Sequence, residues 1–490
     1  MTGSRLRWAR LALIVVVAGV AVAGYIVCAL RLGGIGFPLD DAWIHQTYAR
    51  NLVERGQWAF VPGQPSAGST SPLWALLEAP AALLGVSPVL WSGMLGVVTL
   101  ALTAWLGGAW VLDEGESRPW WFWLAIIGLA FEWHLLWAAL SGMETLLLGF
   151  SALAILYGMH RMPDRALLWG ALVGLTVWIR PDGLSLGLAF AWLLVLGETG
   201  TRIKVVRLAW FGLGAACLVV PYLGFNYVLS GQIWPNTFYA KQAEYAILRQ
   251  TPLLSRLAAE FVQPLVGPGA VLLPGLVVWV VDTVRSRRWV DLAPVIWAGS
   301  YLVAYALRLP VTYQHGRYAM PTVPAWIVLG MLGTLRWIDL DGEHSWRRIT
   351  SRAWISTWLV VTAAFWLLGA RAYARDAAII NSEMVQTSKW LNQHTQPGDL
   401  IAAHDIGALG YFGDRPILDL AGLVNPEVIP FIRDEKRLAA YVSSRHAAYL
   451  MTFPGWYPQL TEGKDPVYTS REPFSPEAGG ENMAVYRWPR

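Results

Sequence analysis

The chain has 490 residues, 55% of them hydrophobic and only 14% charged, with a mean hydropathy of +0.42. A soluble protein of this length carries more charge, so a polytopic α-helical membrane protein is expected. The formal net charge of +4 is small, which argues against nucleic acid as a partner and makes the placement of the basic residues the informative quantity.

Residues 1–10 (MTGSRLRWAR) are basic, and 11–30 is an apolar run long enough for a ~30 Å hydrocarbon core and longer than that of a cleaved signal peptide. A retained first helix is predicted. Further spans are predicted near 88–112, 119–139, 143–159, 166–179, 183–198, 206–229, 266–284, 290–309, 321–338 and 353–371, which with the first (9–30) makes about eleven. The stretch 71–85 (SPLWALLEAPAALLG) has two prolines and Glu78 and is short, so it is read as an interfacial helix and not counted.

Cytoplasmic loops carry the excess of Arg and Lys. With the N-terminus inside, the internal loops hold Arg5, Arg7 and Arg10; Arg118; Arg161 and Arg165; Arg202, Lys204 and Arg207; Arg285, Arg287 and Arg288; and Arg336, Arg347, Arg348 and Arg352. Counting 71–85 as a span would reverse every later loop and export these clusters. The reading is therefore a multi-pass protein of the plasma membrane with a cytoplasmic N-terminus and an external C-terminus. Cys28 and Cys217 lie in apolar runs and read as packing residues, not a disulfide.

Beyond about residue 372 the apolar runs shorten. Residues 376–394 read as helix, LIAAHDIG as a strand, PILDLAGL as a second, VNPEVIPFIRDEKRLAAYVSSRH as largely helical and AAYLMTF as a third strand. Two domains follow: 1–372 in the membrane, with long external loops at 31–87 and 230–265, and 373–490 as a small extracytoplasmic α/β domain.

Uncommon residue types gather on the external side: Asp40, Asp41 and His45; GQPSAGSTSPLW (63–74); SGMET (141–145); IRPDG (179–183); IWPNTFYAK (233–241); and TYQHGRY (312–318). Asp40 and Asp41 precede a helical stretch in which Ile44, Tyr48 and Leu52 recur at four-residue spacing and suit a membrane surface. One Asp serves as a helix N-cap in the plainer reading, leaving the other to face a cavity, with His45 one turn after Asp41. A carboxylate beside the hydrocarbon boundary loses hydration and becomes a better proton acceptor.

Arg180, Arg317 and Lys241 are cations against the positive-inside trend, so each calls for an anionic partner. A phosphate clamp is one reading; a snorkelling Arg180 paired with Asp182, and a solvated Lys241, are the others. Glu144 starts a span, where a glutamate suits the helix dipole, and Glu132 with His134 reads as a buried polar pair. Interfacial belts account for most of the 29 tryptophans. No GxxxxGK, HExxH or CxxC pattern is present.

DDAWIHQTYARNL, GSTSPLW, SGMET, IRPDG, WPNTFYAK and HGRY, in that order and on one face, resemble the GT-C superfamily of polyprenyl-phosphate-sugar glycosyltransferases, in particular bacterial members related to mycobacterial cell-wall arabinofuranosyltransferases. HDIGALGYF and ILDLAGLVNPE resemble the soluble tail of the same relatives, although the tail here is short. The resemblance implies an enzyme of the cell envelope that moves a sugar with inversion from a polyprenyl-phosphate donor to a glycan, lipid or protein acceptor. It implies Asp40 as general base assisted by Asp41, and Arg180, Arg317 and Lys241 on the donor phosphate. His45, Glu144, Asp182, Asn236 and His315 are candidates for positioning substrate. Relatives sometimes place a metal ligand at the SGMET position, so Asp41 and Glu144 are candidate ligands of a divalent metal. A transporter or flippase of a lipid-linked sugar and a silent membrane scaffold are the rival readings; against the first, there is no internal repeat and the acids lie at span ends.

Overall fold

The computed structural model describes residues 3–114, 119–338 and 345–489. Arg118 lies outside these, as do the side chains of Arg5 and Arg7. The first apolar run forms α1 (Gly3–Leu32). It stops where the Gly33 and Gly34 amides both donate to the Ala29 carbonyl, with Gly34 in the left-handed region at φ +91°.

The first loop folds into α2 (Asp41–Arg55), a hairpin of β1 (Ala59–Val61) and β2 (Gln64–Pro65), and α3 (Pro72–Leu84). Ile44 and Tyr48, expected to rest on a membrane surface, are buried inside the protein. The hairpin folds back over α2, so that Tyr48 meets Trp58 and Phe60 at ring-centroid distances of 5.2 and 6.0 Å. The α3 helix, 13 residues long, is too short to cross a bilayer, as its sequence suggests.

There follow α4 (Pro88–Glu114), α5 (Pro119–Ala130), α6 (Trp133–Leu140), α7 (Thr145–Arg161), α8 (Ala166–Ile179), α9 (Gly187–Leu196), α10 (Thr201–Ser230), α11 (Asn236–Glu244), α12 (Leu253–Val262), α13 (Pro268–Arg285), α14 (Ala293–Arg308), the single turn α15 (Tyr313–Gly316), α16 (Val323–Trp337) and α17 (Ser345–Ile380). The chain is a multi-pass integral membrane protein. Seven helical segments among the described residues are long and apolar enough to cross a membrane, and an eighth is the pair α5 and α6, bent by 55°. The other three of the eleven predicted spans, α7, α8 and Pro181–Leu196, are apolar helices of 17 residues or fewer. Gly142, Pro163 and Pro181 mark the breaks between these segments. Cys28 is half-buried, but Cys217 is exposed on α10, pointing away from the protein like Leu213 and Val220 beside it, and so does not pack internally.

Where helices cross closely, glycine removes the obstacle. A Cβ at Gly333 on α16 would collide with the Gly275 carbonyl on α13, and one at Gly170 on α8 with the Phe211 carbonyl on α10.

The last span does not end at the membrane. It runs through α17 and a π-helical turn at Asn381–Val385 into α18 (Gln386–His394), a continuous segment of 50 residues. At 1.5 Å per residue it reaches ~75 Å, well beyond the hydrocarbon core. The predicted boundary at 372/373 therefore falls inside one helix, with no linker. The sheet above it comprises β3 (Ile401–Ala403), β4 (Ile417–Asp419), β5 (Tyr449–Thr452), β6 (Tyr468–Thr469) and β7 (Ala484–Arg487), in the order β4-β3-β5-β7-β6. The first three strands are parallel and β7 is antiparallel to β5 and β6. Strand alternation gives the sheet two apolar faces. Ile401, Ala403, Met451 and Val485 join the core continuous with the membrane helices, while Ala402, Leu418, Leu450 and Tyr486 form a second core with α19 (Glu435–Ser444).

Candidate active site

Asp41 opens α2, and its Oδ2 accepts from Arg317 Nη2 at 2.7 Å and Lys241 Nζ at 3.1 Å. Lys241 lies on α11, within a loop that is helical and packed instead of solvated; its side chain is 21% exposed. Burial alone would raise the Asp41 pKa, but the charges of Lys241 and Arg317 overturn it and hold the carboxyl well below the usual range. Lys241 shows the reciprocal effect: burial lowers its pKa, Asp41 more than restores it, and the net shift is upward.

Arg317 follows Gln314, His315 and Gly316, all with positive φ. Two consecutive non-glycine residues in this region are strained, and such strain persists where the surroundings over-determine it. Arg317 is only 5% exposed, yet its Nε and Nη1 have no hydrogen-bond partner among the described residues. Buried donors left without acceptors cost about 1–3 kcal/mol each, so this guanidinium is prepared for an anion beyond Asp41.

Arg180 comes to the same place by a different local rule. Pro181 excludes the helical conformation from the residue before it, so α8 ends at Arg180 in extended backbone (φ −158°, ψ 141°). Its Nη2 meets Asp182 Oδ2 at 3.1 Å and donates to Tyr305 Oη at 2.8 Å, while Nε lies 3.2 Å from Asp182 Oδ1 and 3.7 Å from Glu144 Oε1. Tyr301 and Tyr305, one turn apart on α14, both donate to Asp182. Tyr318 joins the groups: its hydroxyl accepts from Arg317 at 3.1 Å and Lys241 at 3.4 Å, and the guanidinium carbons of Arg180 and Arg317 lie 5.2 and 5.0 Å from its ring centroid. All three predicted cations thus converge on one tyrosine.

Glu144 sits behind Arg180 because Gly142 (φ +70°) turns the chain tightly against α2; a Cβ there would strike the Phe37 ring and come within 2.8 Å of the Ala42 methyl. His45 Nε2 lies 3.5 Å from Glu144 and its Nδ1 3.3 Å from Ser69 Oγ. Burial lowers the His45 pKa against the pull of Glu144, which favours the neutral ring.

Asp40 occupies the N-cap position of α2 but makes no side-chain cap. Its carboxylate turns to the C-terminal sheet and accepts from the Gly407 amide at 2.7 Å and the Ala408 amide at 2.8 Å. Asp40 is 8% exposed, and burial first, then the nearby Asp405, raise its pKa despite the two amides. Asp405 and its neighbour His404 lie just beyond β3 and belong to the same turn. His404 Nδ1 is 2.7 Å from Tyr457 Oη and its Nε2 3.2 Å from Glu244 on α11. A Cβ at Gly407 would collide with the Asp40 carbonyl and sit 2.8 Å from its Oδ2. Gly407→Ala is therefore expected to weaken the docking by about 1–3 kcal/mol. Amide exchange across 405–409, followed by mass spectrometry, would accelerate roughly 5- to 150-fold with exchange in α13 and α16 unchanged.

Asn236 and His315 bond elsewhere. The Asn236 amide donates to the Ala67 carbonyl at 3.0 Å and its Nδ2 to the Leu423 carbonyl at 3.2 Å, which ties the first loop to the C-terminal sheet. His315 Nε2 lies 2.7 Å from Asp376, which also accepts from Trp137. Glu132 pairs with His134 at 2.8 Å and caps α6 through the Leu135 amide. A divalent metal does not fit the candidate ligands. Asp41 is held by two cations, Glu144 faces His45 and Arg180, and among the described residues no group of three or more His, Cys, Asp or Glu could hold an ion.

Sequence reasoning missed Tyr301, Tyr305, Tyr318, Glu244, His404 and Asp405 as members of this cluster. The i,i+4 spacing of Tyr301 and Tyr305 was submerged in an apolar helix, and Tyr318, His404 and Asp405 lay inside the quoted stretches TYQHGRY and HDIGALGYF without being singled out.

Comparison with known proteins bears on the fold. A domain of unknown function (DUF8728) matches residues 370–486, and no curated protein matches. Among solved structures, ArnT from Cupriavidus metallidurans bound to undecaprenyl phosphate is similar with a TM-score of 0.61 at 14% identity, covering 97% of this chain and 98% of ArnT. Its apo form gives 0.59 at 14% identity, with 98% of each chain covered. Arabinofuranosyltransferase AftD from Mycobacteria gives 0.44 at 16% identity, covering 96% of this chain and 40% of AftD. The chain has an ArnT-like fold over nearly its whole length.

Proposed function

We propose that this protein is an integral membrane glycosyltransferase that transfers a sugar, with inversion, from a polyprenyl-phosphate donor to a glycan, lipid or protein acceptor outside the cytoplasmic membrane. The observation that carries this is the buried Arg317, two of whose donors have no partner among the described residues, beside Lys241, Arg180 and Tyr318. The bound undecaprenyl phosphate of the similarly folded ArnT supports a polyprenyl phosphate as the anion. Residues 1–372 are the membrane unit, and 373–490 cover the site from the external side. In support of that orientation, Arg161, Arg285 and Arg336 end helices α7, α13 and α16 at the face opposite the site.

The acceptor oxygen bonds to the anomeric carbon while the carbon–oxygen bond to phosphate breaks, and the phosphate leaves with the bonding pair. Arg317, Lys241 and Arg180 stabilise the charge that develops on it, so no general acid is needed. The acceptor proton passes to Asp40, whose raised pKa makes it the better base. Asp41, kept ionised by two cations, positions them and is a poor proton acceptor. His45 and Glu144 brace Arg180 from behind.

The test uses purified protein in nanodiscs with a panel of radiolabelled pentosyl- and hexosyl-undecaprenyl phosphates and cell-envelope glycan acceptors. Covalent transfer from at least one donor is expected. Movement of a lipid-linked sugar across proteoliposomes without a covalent product would instead make the protein a flippase. In a Cys28→Ala, Cys217→Ala background, Gln64→Cys on the exposed hairpin should react with a membrane-impermeant maleimide from outside intact cells.

A further inference from the structure

The turn after β3 carries more polar chemistry than docking requires. His404 is engaged by Tyr457 and Glu244, and the Gly407 and Ala408 amides are engaged by Asp40. Asp405, between them, makes no hydrogen bond and no ion pair among the described residues, although it is half-buried and close enough to Asp40, Asp41 and Glu244 to interact with their charges. A carboxylate left without a direct partner beside three other acids costs stability, and such groups cluster at functional sites.

Resting on the glycosyltransferase reading, we propose that Asp405 is a positioning acid of the reaction centre, supplied by the C-terminal domain: its negative charge, on the turn whose Gly407 and Ala408 amides hold the Asp40 carboxylate, sets how strongly Asp40 holds a proton. The groups facing this pair are Asp41 from α2, Lys241 and Glu244 from α11, Arg317 before α16, and His404 and Tyr457 from the C-terminal domain. Asp41 offsets one of the two charges of Lys241 and Arg317, and Glu244 offsets that of His404, while the charges that act on Asp40 are those of Asp405 and Asp41. Burial and the neighbouring acids raise the pKa of Asp405 itself, against the opposing effect of His404. The C-terminal domain then contributes to the chemistry as well as covering it.

The test is the pH profile of kcat/KM for transfer from a radiolabelled undecaprenyl-phosphate sugar, with wild type, Asp405→Asn and Asp405→Glu. Asp40 acts when ionised, so activity rises with pH through its pKa. Removing the neighbouring negative charge lowers that pKa, and the acid limb of Asp405→Asn should move about one pH unit down, while Asp405→Glu should return it towards wild type. A purely structural role would reduce the rate without moving the limb, and an unmoved limb in a folded Asp405→Asn overturns the proposal. If Asp405→Asn does not accumulate, infrared titration of wild type and Asp405→Ser decides. The carboxyl assigned to Asp40 should titrate at a lower midpoint in the variant, and equal midpoints overturn the proposal. Absence of transfer by wild type with every donor defeats the glycosyltransferase reading itself, whereas transfer by wild type with an unshifted Asp405→Asn defeats only the role of Asp405.

Discussion

Asp40→Asn is expected to lower sugar transfer by about 10²–10⁴-fold, the usual contribution of a positioned general base. The substitution keeps the shape of the side chain but removes the lone pair that would take the acceptor proton. It also costs one of the two amide contacts, because the Asn Nδ2 cannot accept from Gly407 or Ala408. Exchange protection at residue 408 separates the two effects: a loss of rate far larger than the loss of protection assigns the residue to the chemistry. The pH dependence carries a sign check. Since Asp40 has a raised pKa in the folded protein, the proton-bound form is favoured by folding. Its contribution to stability is complete below the ordinary carboxylate pKa and declines as pH rises through the raised one. Activity runs the other way, increasing over the same interval as Asp40 ionises. Melting temperature and kcat/KM followed across that interval should therefore diverge in wild type, and the divergence should vanish in Asp40→Asn.

Arg317→Ala is expected to cost roughly 10²–10³-fold in kcat/KM, as for removal of one preorganised donor from a developing anion. Several properties converge in this residue: it is buried, touches Asp41 and Tyr318, and retains two donors without partners. Arg317→Lys restores the charge but cannot reproduce the planar fork, so only partial recovery is expected. Binding of undecaprenyl phosphate, measured by calorimetry in nanodiscs, should weaken in parallel. A loss confined to kcat with binding intact would place Arg317 on the transition state alone.

Much of this cluster was visible in the sequence as a charge anomaly. Lys241 and Arg317 violated the positive-inside trend and so demanded an anion, but the anion is Asp41, 200 and 276 positions away. Charge asymmetry can name cations; only folding names their partner. Arg180 with Asp182, and Glu132 with His134, were legible because both pairs are local. The turn at 404–408 was not. LIAAHDIG read as one strand, whereas β3 stops at Ala403, because a strand buried on both faces gives no alternation from which to locate its end. That error hid Asp405, and with it the contact between the two domains. β6 and β7 were missed for a related reason: two to four residues are too few for a period to show. Three of the expected spans are apolar helices of 17 residues or fewer, whose ends hydropathy alone does not locate.

The bonds from the Gly407 and Ala408 amides to Asp40 make one carboxyl both latch and reagent. Linkage is reciprocal, so whatever prises the sheet off its seat also changes the proton affinity of the acid beneath it. On the proposed glycosyltransferase reading, displacing the sheet would leave Arg317 and Lys241 on Asp41 but strip Asp40 of the two amides that fix it, so that grip on the donor phosphate and acceptance of the proton are separable.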